Sequence, residues 1–264
     1  MPALYSLLLF CILTCLGQNV HGSEIIEGRK VPDELMTYMA SVQNNKGHVC
    51  GGFLIRQDFV VTAAHCYKRD LTSVVLGTHN LKKVNNGKMR YNVTQACKHP
   101  DFKNALYGDD IMLLKLSQKA PLGKRITTIR LPKAGMKLKD NAKCHVAGWG
   151  FVKTGGKYVD ALQSVDVTVV NLKECQQQWK QVDTNLPHNI TCAGGYKTNK
   201  GFCGGDSGGP LVCDGVAVGV VSFNHKKDCD YPNKPNIYTD VSKYLPLINN
   251  ILRHKGCTTW DSTA

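Results

Sequence analysis

The chain alternates short apolar segments with polar turns rich in Gly, Pro and Asn, and no repeat or low-complexity tract interrupts that rhythm. In residues 164–170, Val165, Val167 and Val169 fall on one face of an extended chain, the period-two pattern of a half-buried strand. Residues 215–223 read the same way. Many short strands at such spacing predict an all-β domain, a sandwich or barrel. Helical spacing shows only near the end of the chain. There Leu245, Ile248, Ile251 and Leu252 recur on one face, Pro246 suits a first turn, and His254, Lys255 and Gly256 close the segment. A polar, Lys-rich stretch over residues 117–140 has neither period and predicts a connection between two halves.

The start of the chain breaks the β pattern. An apolar run from Leu4 to Leu16 falls short of the roughly eighteen residues needed to span a bilayer. Residues 1–22 therefore read as a secretory signal peptide cleaved after Gly22, with no membrane span. Twelve Cys fit an oxidising destination, either extracellular or a secretory granule. Cys11 and Cys15 leave with the signal peptide, so ten Cys remain, an even number. The sequons at Asn92 and Asn189 are glycosylation acceptors in that compartment.

With 264 residues, 42% of them hydrophobic, the chain can bury a substantial core, which excludes disorder. Lys and Arg outnumber Asp and Glu by 33 to 20, a net charge of +13, and loss of residues 1–24, with Glu24 as their sole charge, raises it by one. No helix-turn-helix, zinc-finger or RNA-binding sheet signature accompanies the charge, so nucleic acid is not the expected partner. Anionic proteoglycan glycans are. No metal-ligand cluster accounts for the histidines, and no cofactor is implied.

Three segments carry chemistry. Thr62-Ala63-Ala64-His65-Cys66 puts a histidine at the end of an apolar run. Asp109-Asp110-Ile111-Met112-Leu113 puts an acid directly before a buried-looking strand, where a carboxylate needs a partner to offset desolvation. Gly204-Gly205-Asp206-Ser207-Gly208-Gly209-Pro210 puts a serine in a backbone free to turn sharply and aim N–H groups at a reacting atom. Each alone has a bland reading as a core histidine, a turn or a glycine-rich loop.

Together, in this order, they resemble the chymotrypsin/trypsin family of serine proteases, and the resemblance covers nearly everything after Glu24. It implies two six-stranded antiparallel Greek-key barrels with a C-terminal helix over residues 25–264, acting as an endopeptidase on protein substrates. Carried over, Ser207 is the nucleophile, His65 the base and Asp110 the orienting carboxylate; the N–H groups of Gly205 and Ser207 form the oxyanion hole, and Ser222 lies beside the triad where substrate backbone pairs. Ser23-Glu24-Ile25-Ile26 resembles the family's activation point, where the freed amine of Ile25 pairs with Asp206. An acidic dipeptide at residues 23–24 is similar to those of granzymes and mast-cell proteases, which implies a dipeptidyl peptidase as activator. Glu27 departs from the pattern, standing where the family has glycine. By resemblance Cys50 pairs with Cys66, Cys144 with Cys213, Cys175 with Cys192, and Cys203 with Cys229. Cys97 and Cys257 have no family counterpart: they pair with each other, bridge to another chain or stay free.

Specificity departs from trypsin. Gly201 stands where trypsin-like members carry a pocket aspartate, Phe202 is expected to narrow the pocket, and Asn224 and Asn236 replace the glycines of open pockets. The expected residue on the acyl side of the cut (P1) is small or medium and uncharged. The competing reading is a catalytically weak homologue that binds glycans or surfaces through its basic exterior, with its pocket closed.

Overall fold

The computed structural model describes residues 27–84 and 89–257. The expected signal peptide, the dipeptide and Ile25 lie outside them. Six strands, β2 (Met39–Asn44), β3 (Gly47–Arg56), β4 (Phe59–Thr62), β5 (Ser73–Val75), β6 (Arg90–Lys98) and β7 (Met112–Leu116), follow β1 (Arg29–Lys30) and close a barrel in the order β2-β3-β4-β7-β6-β5. A second set is β8 (Lys143–Gly148), β9 (Gln163–Val170), β10 (Ile190–Ala193), β11 (Pro210–Cys213), β12 (Val216–Phe223) and β13 (Ile237–Asp240). It closes because β8 pairs with both β9 and β11, and β1 adds to β9 at its edge. All pairings between these strands are antiparallel. The alternation in β9 is what its sequence dictates: Val165, Val167 and Val169 are buried while Asp166 and Thr168 face solvent.

Each barrel has its own core. Phe53, Phe59, Leu113 and Leu114 fill the first, and Val146, Val167, Leu211 and Tyr238 the second. Between the barrels Val31, Met39, Trp149 and Leu162 pack together. The Lys-rich stretch carries the chain from β7 to β8 without forming a strand of its own.

Two α-helices are present among the described residues, one more than the periodicity predicted. Helix α1 (Leu172–Lys180) starts at Asn171, whose side-chain oxygen accepts from the N–H groups of Lys173 and Glu174, and it buries only Cys175 and Trp179. Two anchors in nine residues are too few for an apolar stripe. Helix α2 (Leu245–His254) lays Leu247, Ile248 and Ile251 onto the first barrel, each worth about 1.5–3 kcal/mol. Lys255, left-handed at φ 55°, ends it.

Five disulfides join Cys50 to Cys66, Cys97 to Cys257, Cys144 to Cys213, Cys175 to Cys192 and Cys203 to Cys229. Cys97–Cys257 ties the segment after α2 to β6, which settles the alternatives left open for that pair. Asn92 on β6 and Asn189, left-handed at φ 58°, are both exposed.

Candidate active site

The site is assembled from both barrels at their seam. After β4 the chain enters a 3-10 turn over Ala64–Arg69, and His65 lies in its first turn. Asp110 follows Asp109, which is left-handed at φ 55° and accepts a hydrogen bond from the Tyr244 hydroxyl. That turn drives the Asp110 carboxylate inward until it is 1% exposed. One oxygen accepts from the His65 backbone N–H at 2.9 Å, and the other from His65 Nδ1 at 2.8 Å and the Ser222 hydroxyl at 2.5 Å. Thr239 donates to the Asp110 carbonyl oxygen. Burial alone would raise the carboxyl pKa, but the His65 charge, the two His65 hydrogen bonds and that from Ser222 together hold it below its ordinary value. Ionised Asp110 accepts only, so Nδ1 is the donor of that hydrogen bond and Nε2 is left facing away from the carboxylate.

The nucleophile turn comes from the second barrel. Gly205 at φ 97° and Gly208 at φ 83° sit in the left-handed region. A Cβ on Gly208 would lie 2.1 Å from Thr62 Oγ1, so no other residue fits. Gly51 N–H holds the Ser207 carbonyl at 2.8 Å, which docks the turn against β3. Gly208 and Gly209 spend their N–H groups on Val221 and Asp206, whereas those of Gly205 and Ser207 find no acceptor among the described residues. Two unspent donors flanking Asp206 can bind an anionic oxygen. The sulfurs of Cys50 and Cys66 come near His65, but their disulfide removes them as metal ligands.

Asp206 is fully buried, accepting from Gly150 N–H at 2.8 Å and Cys203 N–H at 2.9 Å. Burial pushes its carboxyl up to about 7 against those two bonds, and no described cation pairs with it. Glu27 is left-handed at φ 61°, the conformation that favours glycine and explains why its side chain is a departure there.

The specificity residues divide. Asn236 is fully buried, and neither its amide nitrogen nor its amide oxygen has a hydrogen-bond partner among the described residues. Its amide lies against Gly195 and Gly201, where a Cβ would sit within 2.4 Å and 2.6 Å of it. The Tyr231 ring also covers Gly201 and its hydroxyl donates to the Phe202 carbonyl at 2.7 Å. Phe202, expected to narrow the pocket, instead turns its ring edge-on to Tyr238 at 5.3 Å within the barrel core. Asn224 is turned aside, donating to the Asp228 carbonyl and the Tyr231 hydroxyl. Asn236 and Tyr231 thus pack together against Gly201, the expected base of the pocket. Sequence reasoning missed Tyr231 because it reaches the floor from a loop without any periodicity, and missed His48 because it reads as one more strand residue. His48 Nε2 donates to the Gly205 carbonyl at 3.0 Å.

Residues 25–248 match the protein family described as Trypsin. The chain is similar to granzyme B(G,H) of Mus musculus, 37% identical over 250 residues that cover 94% of this chain and 98% of that one. Mast cell protease 3 of Ovis aries is 37% identical over 250 residues, 94% of this chain and 95% of its own. Duodenase-1 of Bos taurus is 35% identical over 249 residues, 93% and 96% of the two chains.

Proposed function

Because the chain belongs to the trypsin family of serine proteases, we propose that Ser207, His65 and Asp110 hydrolyse peptide bonds in proteins through an acyl-enzyme. The observation that carries the reading is the 2.8 Å hydrogen bond between His65 Nδ1 and Asp110: with Nδ1 committed to the carboxylate, Nε2 is the nitrogen that takes a proton. Ser207 Oγ attacks the carbonyl carbon as its proton passes to His65 Nε2. The oxyanion is held by the N–H groups of Gly205 and Ser207. The C–N bond breaks, the amine takes the proton, and water repeats the sequence to release the acid and restore Ser207. A positioned base contributes roughly 10²–10⁴-fold and one oxyanion donor about 3–4 kcal/mol.

Activation by a dipeptidyl peptidase, which removes Ser23-Glu24 and frees the Ile25 amine to pair with Asp206, is supported by the buried carboxylate and its lack of a described cation. A small or medium uncharged P1 residue is supported by a floor of Asn236 and Tyr231 without a carboxylate. Release into a granule or the extracellular space, glycans on Asn92 and Asn189 and adhesion of the basic surface to anionic proteoglycans are consistent with the ten paired Cys and the charge. No described helix is long and apolar enough to cross a membrane. The filled floor also favours a second reading, a glycan-binding homologue with little activity.

A serine-directed fluorophosphonate distinguishes the two. The chain beginning at Ile25 is expected to be labelled at Ser207, with labelling lost in Ser207→Ala and in His65→Ala. A folded protein left unlabelled favours the binding role.

A further inference from the structure

Asp110 is preceded by two residues in the left-handed region, Gly108 at φ 91° and Asp109 at φ 55°. Glycine adopts that conformation freely, whereas an aspartate there carries a cost that an anchor can offset. A Cβ on Gly108 would lie 3.1 Å from Pro187 Cβ, so the turn is pressed against the segment that leads into β10. The Ile111 N–H closes the turn on the Asp109 carbonyl at 2.8 Å. The Asp110 side chain leaves the backbone inside this turn, so its direction follows the conformation of Asp109.

The bonds that hold Asp110 itself do not fix that conformation. His65 and Ser222 bond its carboxylate, and Thr239 its carbonyl oxygen. Asp109 has a single side-chain partner among the described residues: its carboxylate accepts from the Tyr244 hydroxyl at 2.9 Å. Tyr244 is buried, and burial together with the Asp109 charge holds its pKa far above the ordinary phenol value, so the hydroxyl stays a donor. The ring has a second contact with the same turn. His99 stands edge-on to it at 5.5 Å, and the His99 N–H donates to the Ile111 carbonyl at 3.1 Å. The Tyr244 backbone opens α2, with its N–H on the Val241 carbonyl and its own carbonyl accepting from the Ile248 N–H. Thr239 and Tyr244 thus grip neighbouring residues, Asp110 and Asp109, from one stretch of chain that runs from β13 in the second barrel to α2 on the first.

We propose that Tyr244 is a positioning residue of the triad: its hydroxyl holds Asp109 in the left-handed conformation that aims the Asp110 carboxylate at His65. The inference rests on the serine-protease reading above and adds to it a residue that touches neither substrate nor the reacting atoms. Without the hydroxyl, Asp109 is free to relax out of the left-handed region, and the Asp110 carboxylate spends part of its time out of line with His65 Nδ1.

Tyr244→Phe in the Ile25 protein keeps the ring and removes the bond. The expected result is a fall of about 5–30-fold in kcat, the weight of a left-handed residue released from its anchor, with KM little changed. The low-field proton signal of His65 Nδ1 reads the bond to Asp110 directly and is expected to move upfield and broaden in the same variant. In an Asp109→Gly background the left-handed turn needs no anchor and no carboxylate is left to accept the bond. There Tyr244→Phe is expected to cost nothing further in kcat and to leave the signal in place. An unchanged kcat or an unmoved signal in Tyr244→Phe overturns the proposal. So does a loss of the same size in the Asp109→Gly background, which would mean that the tyrosine acts by packing under α2. The proton signal needs no turnover, so failure of the positioning claim stays distinct from failure of the protease reading, which would show as a wild-type Ile25 protein that takes no fluorophosphonate label.

Discussion

Asn236 puts a complete amide where the family has a glycine, buried and without a hydrogen-bond partner among the described residues. Such a group carries a desolvation cost of roughly 1–3 kcal/mol. In the proposed reading it forms the floor of the pocket, where its volume would exclude long side chains. Asn236→Gly is therefore expected to deepen the pocket and to raise kcat/KM for P1 Phe or Met relative to P1 Ala by about 10–100-fold, the worth of a few contacts in an apolar pocket. An unchanged ratio would mean that Tyr231 alone sets the depth. Gly201 and Asn236 were named as pocket positions only through the resemblance to the trypsin family, and the structure puts the Asn236 amide against Gly201. Phe202 and Asn224 were legible as positions but not in orientation, since rotamers follow from neighbours such as Tyr238 and Asp228 that lie far off in the chain. His65, Asp110 and Ser222 were named from separate segments, and the structure brings them into one hydrogen-bonded group.

At the scale of elements, strand period two exposed β9 because one of its faces is buried in a barrel, whereas β12 is buried on both faces from Ala217 to Ser222 and its alternation in sequence has no counterpart in exposure. Helix α1 escaped because its start depends on the Asn171 cap and its packing on Trp179, whose indole donates to the Pro235 carbonyl. The Cys97–Cys257 link stood in the sequence as one of three alternatives and could not be chosen there, since 160 residues separate the two cysteines. Closing a loop that long removes about 5 kcal/mol of unfolded-state freedom in the chain-entropy picture. The β2–β3 hairpin carries the Ser41–His48 pair that reaches Gly205. Burial lowers His48 from 6.5 to about 4, so between those values the unfolded chain binds a proton that the folded chain does not. The stability that neutral His48 contributes is present in full above about 6.5 and lost as pH falls toward 4, by about 3 kcal/mol. The melting temperature of wild type minus that of His48→Gln is expected to shrink steadily from pH 7 to pH 4. Parallel curves would contradict a buried neutral ring.

At the scale of the molecule, two barrels with separate cores meet along Val31, Met39, Trp149 and Leu162, and the groups proposed to react come from opposite sides of that seam. His65 and Asp110 belong to the first barrel and Ser207 to the second, so the proposed mechanism makes docking of the barrels a condition of catalysis. The two-barrel architecture was legible through the resemblance, whereas period-two segments alone led only to a sandwich or a barrel. Closure of the second barrel depends on β8 pairing with β11, whose Leu211 and Val212 lie more than sixty residues from their partners Val146 and His145. The most direct measurement compares the chain beginning at Ile25 with the chain beginning at Ser23 on a peptide library varied at P1. The account predicts cleavage by the Ile25 protein alone, after small or medium uncharged residues. Efficient cleavage after Arg, equal activity of the two proteins, or a folded Ile25 protein that cleaves nothing would contradict it.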